Sequence, residues 1–266
     1  MALDPSFLLF VPADRPDRYA KALAAPGATG AILDLEDAVA PDRKAYAREQ
    51  AAAYLDAAET SRVVVRINPP RTPDGIADLH GLAAARPPAA IAVPKVDDAS
   101  DVAAVAEALP GVPQIVLIET AKGLVHCERI AEVPAVLALA FGPYDLAAEL
   151  GAASEADALL PHRARMVVAA RAAGRYAIDG PAREYGDAAI PRRDALHALR
   201  LGFDGKLLIH PAQLAPVRAA FAPSADEIAY ARRIVAAAEA GSPAVLDGTM
   251  IDAPIVALAE RVLRRV

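Results

Sequence analysis

Eight short apolar runs recur along the chain, separated by alanine-rich stretches with helical spacing. They are SFLLFVP (6 to 12), GAILDLED (30 to 37), VVVRIN (63 to 68), AAIAVPK (89 to 95), IVLIET (115 to 120), VLALAFG (136 to 142), YAIDGP (176 to 181) and KLLIHP (206 to 211). Several are continuously apolar rather than alternating, the pattern of strands buried on both faces. Helices are expected between them at 42 to 56 (after Pro41), 99 to 109, 122 to 131 and 157 to 173. Period alone fits an open doubly wound sheet as well as a barrel. Eight repeats in about 210 residues favour closure, so the expected fold class is α/β, a (β/α)8 TIM barrel over residues 1 to 222.

Beyond His210 and Pro211 the pattern changes. A helix is expected at 224 to 240, then a break at Gly241, Ser242 and Pro243, then GTMIDAP and a final helix to Val266. This tail, 223 to 266, is too short to bury much of a core alone. It reads as a helical extension or lid that docks on the barrel or on a neighbouring subunit, where it could complete that neighbour's site.

The polar residues at the ends of the runs carry the chemistry. Asp34, Glu36, Asp37, Arg66, Glu119 and Asp145 each close or directly follow an apolar run. In a parallel α/β fold those ends form the rim where ligands bind. Glu119 and Asp145 follow successive strands, and two carboxylates suit Mg²⁺, which takes oxygen ligands and leaves room for water and substrate. Helix capping is the alternative role for both. Arg66, inside VVVRIN, needs an anion: either a substrate carboxylate held bidentately or a salt bridge to Glu36 or Asp37. Strand alternation would send Asp34 and Glu36 to one face and Leu35 and Asp37 to the other, unless the strand has already ended, and Asp37 also suits a helix N-cap. Lys95 is a candidate Schiff-base lysine, with salt bridging the commoner role. His126, His162 and His197 fall on expected helices as packing or surface residues, leaving His210 as the histidine of the rim.

Composition narrows the classes. A net charge of -6, no Trp and 5% aromatic residues argue against nucleic-acid binding. No segment approaches the roughly 20 unbroken apolar residues of a membrane span, and MALDPSFLLF lacks the basic region of a signal peptide and reads as the first strand. The single cysteine, Cys127, excludes an intramolecular disulfide and a cysteine-rich zinc site. A cytoplasmic protein is the expectation. No dinucleotide glycine pattern or P-loop lysine motif is present. The local basic residues Arg15, Arg18, Lys21, Lys44 and Arg48 could meet phosphates.

The segments FVPADRPDRYAKA, ILDLEDAVAPDRKAYAR, VVRIN, VPK, LIETAKG, FGPYDL, IHPAQL and GTMIDAPIV run in order across nearly the whole chain. Together they resemble the citrate lyase β-subunit-like family, which includes malyl-CoA and citramalyl-CoA lyases. The resemblance implies a Mg²⁺-dependent carbon–carbon lyase, with Mn²⁺ as a substitute metal. Such an enzyme cleaves or condenses a β-hydroxyacyl-CoA such as citryl-, malyl- or citramalyl-CoA, giving acetyl-CoA and a keto acid through an enolate. By motif, Glu119 and Asp145 would hold the metal. Arg66 would hold the substrate carboxylate and polarise its oxygen, and Glu36 and Asp37 would support the metal's water shell and Arg66. In family members with a C-terminal lid, the aspartate matching Asp252 enters a neighbouring subunit's site as proton donor or acceptor. Arg15, Lys21, Lys44 and Arg48 would receive CoA phosphates. A homo-oligomer, a trimer by resemblance, is expected, and in a citrate lyase complex the thioester sits on an acyl carrier protein. The alternatives are a non-catalytic CoA-thioester or keto-acid binding subunit and a Schiff-base aldolase using Lys95.

Overall fold

The computed structural model describes residues 3 to 155, 157 to 239 and 244 to 265. The chain divides into two compact units, Met1–Val217 and Arg218–Val266.

The first unit is a closed barrel of eight parallel strands in sequential order. They are β1 (Phe7–Pro12), β2 (Gly30–Asp34), β3 (Val63–Arg66), β4 (Ala90–Val93), β5 (Gln114–Ile118), β6 (Val136–Phe141), β7 (Tyr176–Asp179) and β8 (Gly205–Leu208). The expected (β/α)8 barrel is therefore the fold observed, one strand for each apolar run. Val64, Ile115, Leu117, Ile178 and Leu207 fill its interior together with the small Ala90, Ala92, Ala138 and Ala140. Among the described residues no helix is long and apolar enough to cross a membrane.

All strands but β1 end earlier than the apolar runs suggest, and the difference positions the rim. β2 stops at Asp34, so Glu36 and Asp37 belong to the following turn and strand alternation does not divide them. Glu36 is buried, whereas the Asp37 side chain is 61% exposed. The stretch expected as one helix over 122 to 131 is two short ones, Ala121–Val125 and Cys127–Ala131. His126 sits at their joint rather than within a helix, its Nδ1 2.9 Å from the Asp97 carbonyl oxygen. His162 and His197 lie on the helices Leu160–Ala172 and Ala189–Leu201.

Outside the barrel, β7 and β8 turn two charged residues toward the helical layer. Asp179 accepts from Arg163 Nε at 3.2 Å and Nη2 at 2.6 Å. It also pairs with Lys206, which reaches Asp194 at 2.7 Å. Asp179, Arg163 and Lys206 are all buried, so each charge depends on its partners.

The second unit holds the helix Ala225–Glu239, a two-stranded antiparallel hairpin of β9 (Ala244–Leu246) and β10 (Thr249–Ile251), and the helix Ala253–Leu263. Gly241, Ser242 and Pro243, where a break was expected, lie outside the described residues. The hairpin, which GTMIDAP did not suggest, turns on Asp247 and Gly248, with φ of 50° and 80°. Positive φ at both central residues is the tight-turn geometry that Asp-Gly favours. Ile234, Ile251 and Ala259 bring the three elements of this unit onto one small core.

Because Asp179 neutralises both Arg163 and Lys206, Asp179→Ala leaves an uncompensated buried cation. It is expected to lower the unfolding free energy by about 3–5 kcal/mol. Urea unfolding followed by circular dichroism measures this, and an unchanged midpoint would contradict the assigned pairing.

Candidate active site

The rim is organised around a cross-strand pair. Asp34 ends β2 and Arg66 ends β3, and the two are register partners. Arg66 Nε donates to Asp34 Oδ1 at 2.7 Å and Nη2 to Oδ2 at 2.6 Å, a bidentate charge-assisted contact with both residues buried. The same carboxylate accepts the backbone N–H of Glu36 at 2.9 Å and of Ala38 at 3.1 Å, which shapes the turn after β2. The Phe10 ring lies against the guanidinium, 4.8 Å from ring centroid to Cζ. Burial acts to lower the Arg66 pKa, but Asp34, Glu36 and Glu119 more than offset it and hold the group above its ordinary value.

The turn carries Glu36 to the far side of the guanidinium. Its Oε2 stands 2.8 Å from Arg66 Nη1, while Asp37 is 3.8 Å away. The Glu36 contact is close but misaligned: Oε2 is buried without a directed hydrogen-bond donor, so the attraction is Coulombic. Burial raises the Glu36 pKa to about 7, Arg66 opposing the shift and Glu119 and Asp37 adding to it.

Glu119 follows β5, and Asp145 lies in the first turn of the helix Pro143–Leu150 after β6. Neither caps a helix by its side chain: Thr120 caps the helix after Glu119, accepting from Gly123 N, and the N-cap of the helix bearing Asp145 is Gly142. Glu119 is buried and burial raises its pKa, which Lys95 opposes. It presses on Gly142, where a Cβ would come 2.3 Å from Glu119 Cβ and 2.6 Å from Oε2. Only glycine leaves room for the carboxylate there.

Lys95 ties these acids together. Its backbone N–H donates to Glu119 Oε1 at 2.8 Å. Its Nζ lies 3.3 Å from Glu36 Oε1, 3.7 Å from Glu119 Oε1 and 3.2 Å from Asp145 Oδ2. Burial acts to lower the Lys95 pKa, but Glu119, Glu36 and Asp145 overcome it and the net shift is upward. A lysine held protonated is a poor nucleophile, which disfavours the Schiff-base chemistry considered from sequence.

The other sequence candidates fall elsewhere or serve the framework. Lys44 Nζ donates to the carbonyls of Leu35 and Glu36 and to Asn68 Oδ1 at 2.7–2.8 Å, which engages all three of its protons and pins the Glu36 turn. Arg48 Nε donates to the buried Asp78, which in turn accepts from Asn68. Arg15 pairs with Asp17 at the surface, and Lys21 is exposed on the helix Tyr19–Leu23. His210 caps a short 3-10 turn, accepting from Ala212 N, and its ring stacks on Tyr185 at 4.1 Å. Asp252 caps the helix Ala253–Leu263 in the second unit, accepting from Ile255 N at 3.2 Å. Sequence reasoning missed the bridging position of Lys95, the latch of Asn68 and the necessity of Gly142. Only the Gly-Pro pair after β6 could have signalled the last of these.

The donor set suits a hard cation. Glu36, Glu119 and Asp145 offer only oxygen, and an ammonium already stands where they converge. Among the described residues no three carboxylate, histidine or cysteine side chains form a ready-made metal cage. A magnesium ion, which keeps several positions for water and substrate, does not require one.

A closed parallel barrel with a charged cluster at its strand C-termini defines a (β/α)8 enzyme scaffold. Residues 6–211 match the model of the HpcH/HpaI aldolase/citrate lyase family, and the chain belongs to that family. It is 38% identical to a citrate lyase subunit beta-like protein of Mycobacterium tuberculosis, over 97% of this chain and 94% of that protein. Identity to a (3S)-malyl-CoA thioesterase of Cereibacter sphaeroides is 37%, over 92% and 88% of the two chains. To an L-malyl-CoA/beta-methylmalyl-CoA lyase of the same species it is 32%, over 97% and 93%. Among solved structures, protein CitE from Mycobacterium tuberculosis in complex with magnesium, acetoacetate and coenzyme A matches with a TM-score of 0.86 at 37% identity, covering 98% of this chain and 97% of that one.

Glu36 binds its proton more tightly in the folded protein than its ordinary value of 4.5 implies. Between that value and about 7 the folded state therefore holds more proton than the unfolded state, and metal-free stability falls as pH rises through the window. Glu36→Gln should remove on the order of 1–3 kcal/mol of the stability change across that window. Urea unfolding in chelator across the window tests this, and an undiminished slope in the variant would assign the effect to another group.

Proposed function

We propose that this protein is a Mg²⁺-dependent acyl-CoA lyase that cleaves or forms the carbon–carbon bond of a β-hydroxyacyl-CoA such as citryl-, malyl- or citramalyl-CoA. The observation that carries this reading is the convergence of Glu119 and Asp145, from neighbouring barrel positions, on one cation position beside Arg66. The magnesium-bound relative and the malyl-CoA lyase relative support it. Residues 1 to 222 would form the catalytic barrel and 223 to 266 a lid.

In this reading Glu119 and Asp145 hold the metal, with Mn²⁺ as a substitute. When bound, the ion supplies Lewis acidity to the substrate oxygen that becomes the keto-acid carbonyl. Arg66 adds a preorganised positive charge at that oxygen. Asp34 occupies the Nε/Nη2 face of its fork and Glu36 stands 2.8 Å from Nη1, so the substrate oxygen would meet a guanidinium already oriented by two carboxylates. Glu36 and Asp37 hold Arg66 and the metal's water. In cleavage the β-hydroxyl gives up its proton to solvent as its carbon becomes a carbonyl, and the electron pair of the broken bond stays on the acetyl thioester as an enolate. Asp252, from a neighbouring subunit in a homotrimer, delivers a proton to the enolate carbon; condensation runs the same steps in reverse. The phosphates of CoA fit Arg15 and Lys21, which are exposed, better than Lys44 and Arg48, which hold protein groups. An acyl carrier protein could carry the thioester instead.

The thioesterase relative supports a second reading, in which water attacks the thioester carbonyl. The products separate the two. A lyase releases acetyl-CoA and a keto acid, and a thioesterase releases free CoA thiol and the hydroxy acid. The test is an assay of malyl-, citramalyl- and citryl-CoA with Mg²⁺ and then with EDTA, reading both product pairs. The expected result is metal-dependent acetyl-CoA release that Glu119→Gln and Asp145→Asn abolish and that Arg66→Ala lowers by roughly 10²–10³-fold. Binding without turnover would point to a non-catalytic subunit or a carrier-protein substrate.

Asp252 is tested by complementation. Asp252→Ala and Arg66→Ala proteins, each strongly impaired alone, should regain part of the activity when exchanged into mixed oligomers. No recovery would place Asp252 outside a shared site.

A further inference from the structure

We propose that Lys95 is a built-in counter-ion for the carboxylate cluster, and that a divalent cation binds by displacing its ammonium group. This rests on the reading that Glu119 and Asp145 hold the metal. Nζ lies within 3.2–3.7 Å of one oxygen from each of Glu36, Glu119 and Asp145, so it neutralises acids that would otherwise repel one another. A divalent ion bound by Glu119 and Asp145 would compete for the same oxygens. Two cations cannot share them without strong like-charge repulsion.

The local structure suits a removable cation. The Lys95 backbone is fixed, with φ of 52°, a left-handed conformation rare outside glycine, and its N–H bonded to Glu119. The side chain is 33% exposed, so the ammonium has a way out to water. Lys206 shows the contrast: also paired with two carboxylates, it is only 1% exposed and has no such route. Lys206 is a permanent ion pair, and Lys95 is an exchangeable one. In this arrangement the acids stay organised before the metal arrives, at the cost of weaker metal binding.

The experiment is Mn²⁺ binding, followed by electron paramagnetic resonance of the free ion and by calorimetry, on wild type, Lys95→Met, Lys95→Gln, Lys95→Arg and Glu119→Gln. Removing the competing charge should tighten Mn²⁺ binding by roughly tenfold in Lys95→Met and Lys95→Gln. The same variants should melt lower without metal and gain more in melting temperature on saturation with Mn²⁺. Lys95→Arg, which keeps the charge, should stay near wild type. A purely structural lysine predicts weaker binding in the neutral variants. If wild type binds Mn²⁺ in a Glu119-dependent way while both neutral variants bind it equally or more weakly, the exchange proposal is overturned and the metal reading stands. If Glu119→Gln binds as tightly as wild type, or wild type does not bind, the metal reading fails and takes the exchange with it.

Discussion

The bidentate pair of Asp34 and Arg66 is the contact on which the rim depends. Both groups are buried at the top of the barrel, and neither charge is tolerable there without the other. The register places them opposite each other at the last paired position of β2 and β3, so the barrel itself brings them together. Asp34 also accepts two backbone N–H groups and so sets the turn that delivers Glu36 to the other side of Arg66. One aspartate thus couples strand pairing, loop shape and the direction of a guanidinium.

A second layer keeps that turn in place. Lys44 draws in the carbonyls of Leu35 and Glu36, Asn68 reaches Leu35 from β3's end, and Asp78 and Arg48 close the chain of contacts behind it. These groups make hydrogen bonds that the backbone of a tight, buried turn cannot make to itself. Their number explains how an acid as buried as Glu36 keeps one position when no hydrogen bond to its own Oε2 fixes it.

Legibility in the sequence followed the physics of each feature. The eight strands were readable because burial on both faces leaves continuous apolar runs, and the rim acids were readable because each interrupts or follows such a run. Most strand ends were overrun, after β2 and β3 because Leu35 and Ile67 are apolar and buried but lie beyond the ladder. The double role of Asp34 was hidden because a contact between strands depends on register, which single-strand patterns do not carry. Lys44 and Arg48 looked like free cations for phosphate because sequence shows charge and not the carbonyls and carboxylates that fold over it. The Asp247-Gly248 turn did carry a local signal, but its three-residue strands are too short to display alternation.

Lys95 shows why a charge at a strand end cannot be interpreted alone. As an isolated barrel lysine it suggests amine chemistry, which needs a depressed pKa and a neutral nitrogen. Surrounded by Glu36, Glu119 and Asp145 it is driven the other way, and its value lies in being charged. Glu119 adds to the proton affinity of Glu36, and Asp145 to that of Glu119, with burial the largest cause at both. A cluster of this kind has a standing demand for positive charge, and its partly exposed lysine meets that demand without closing the site.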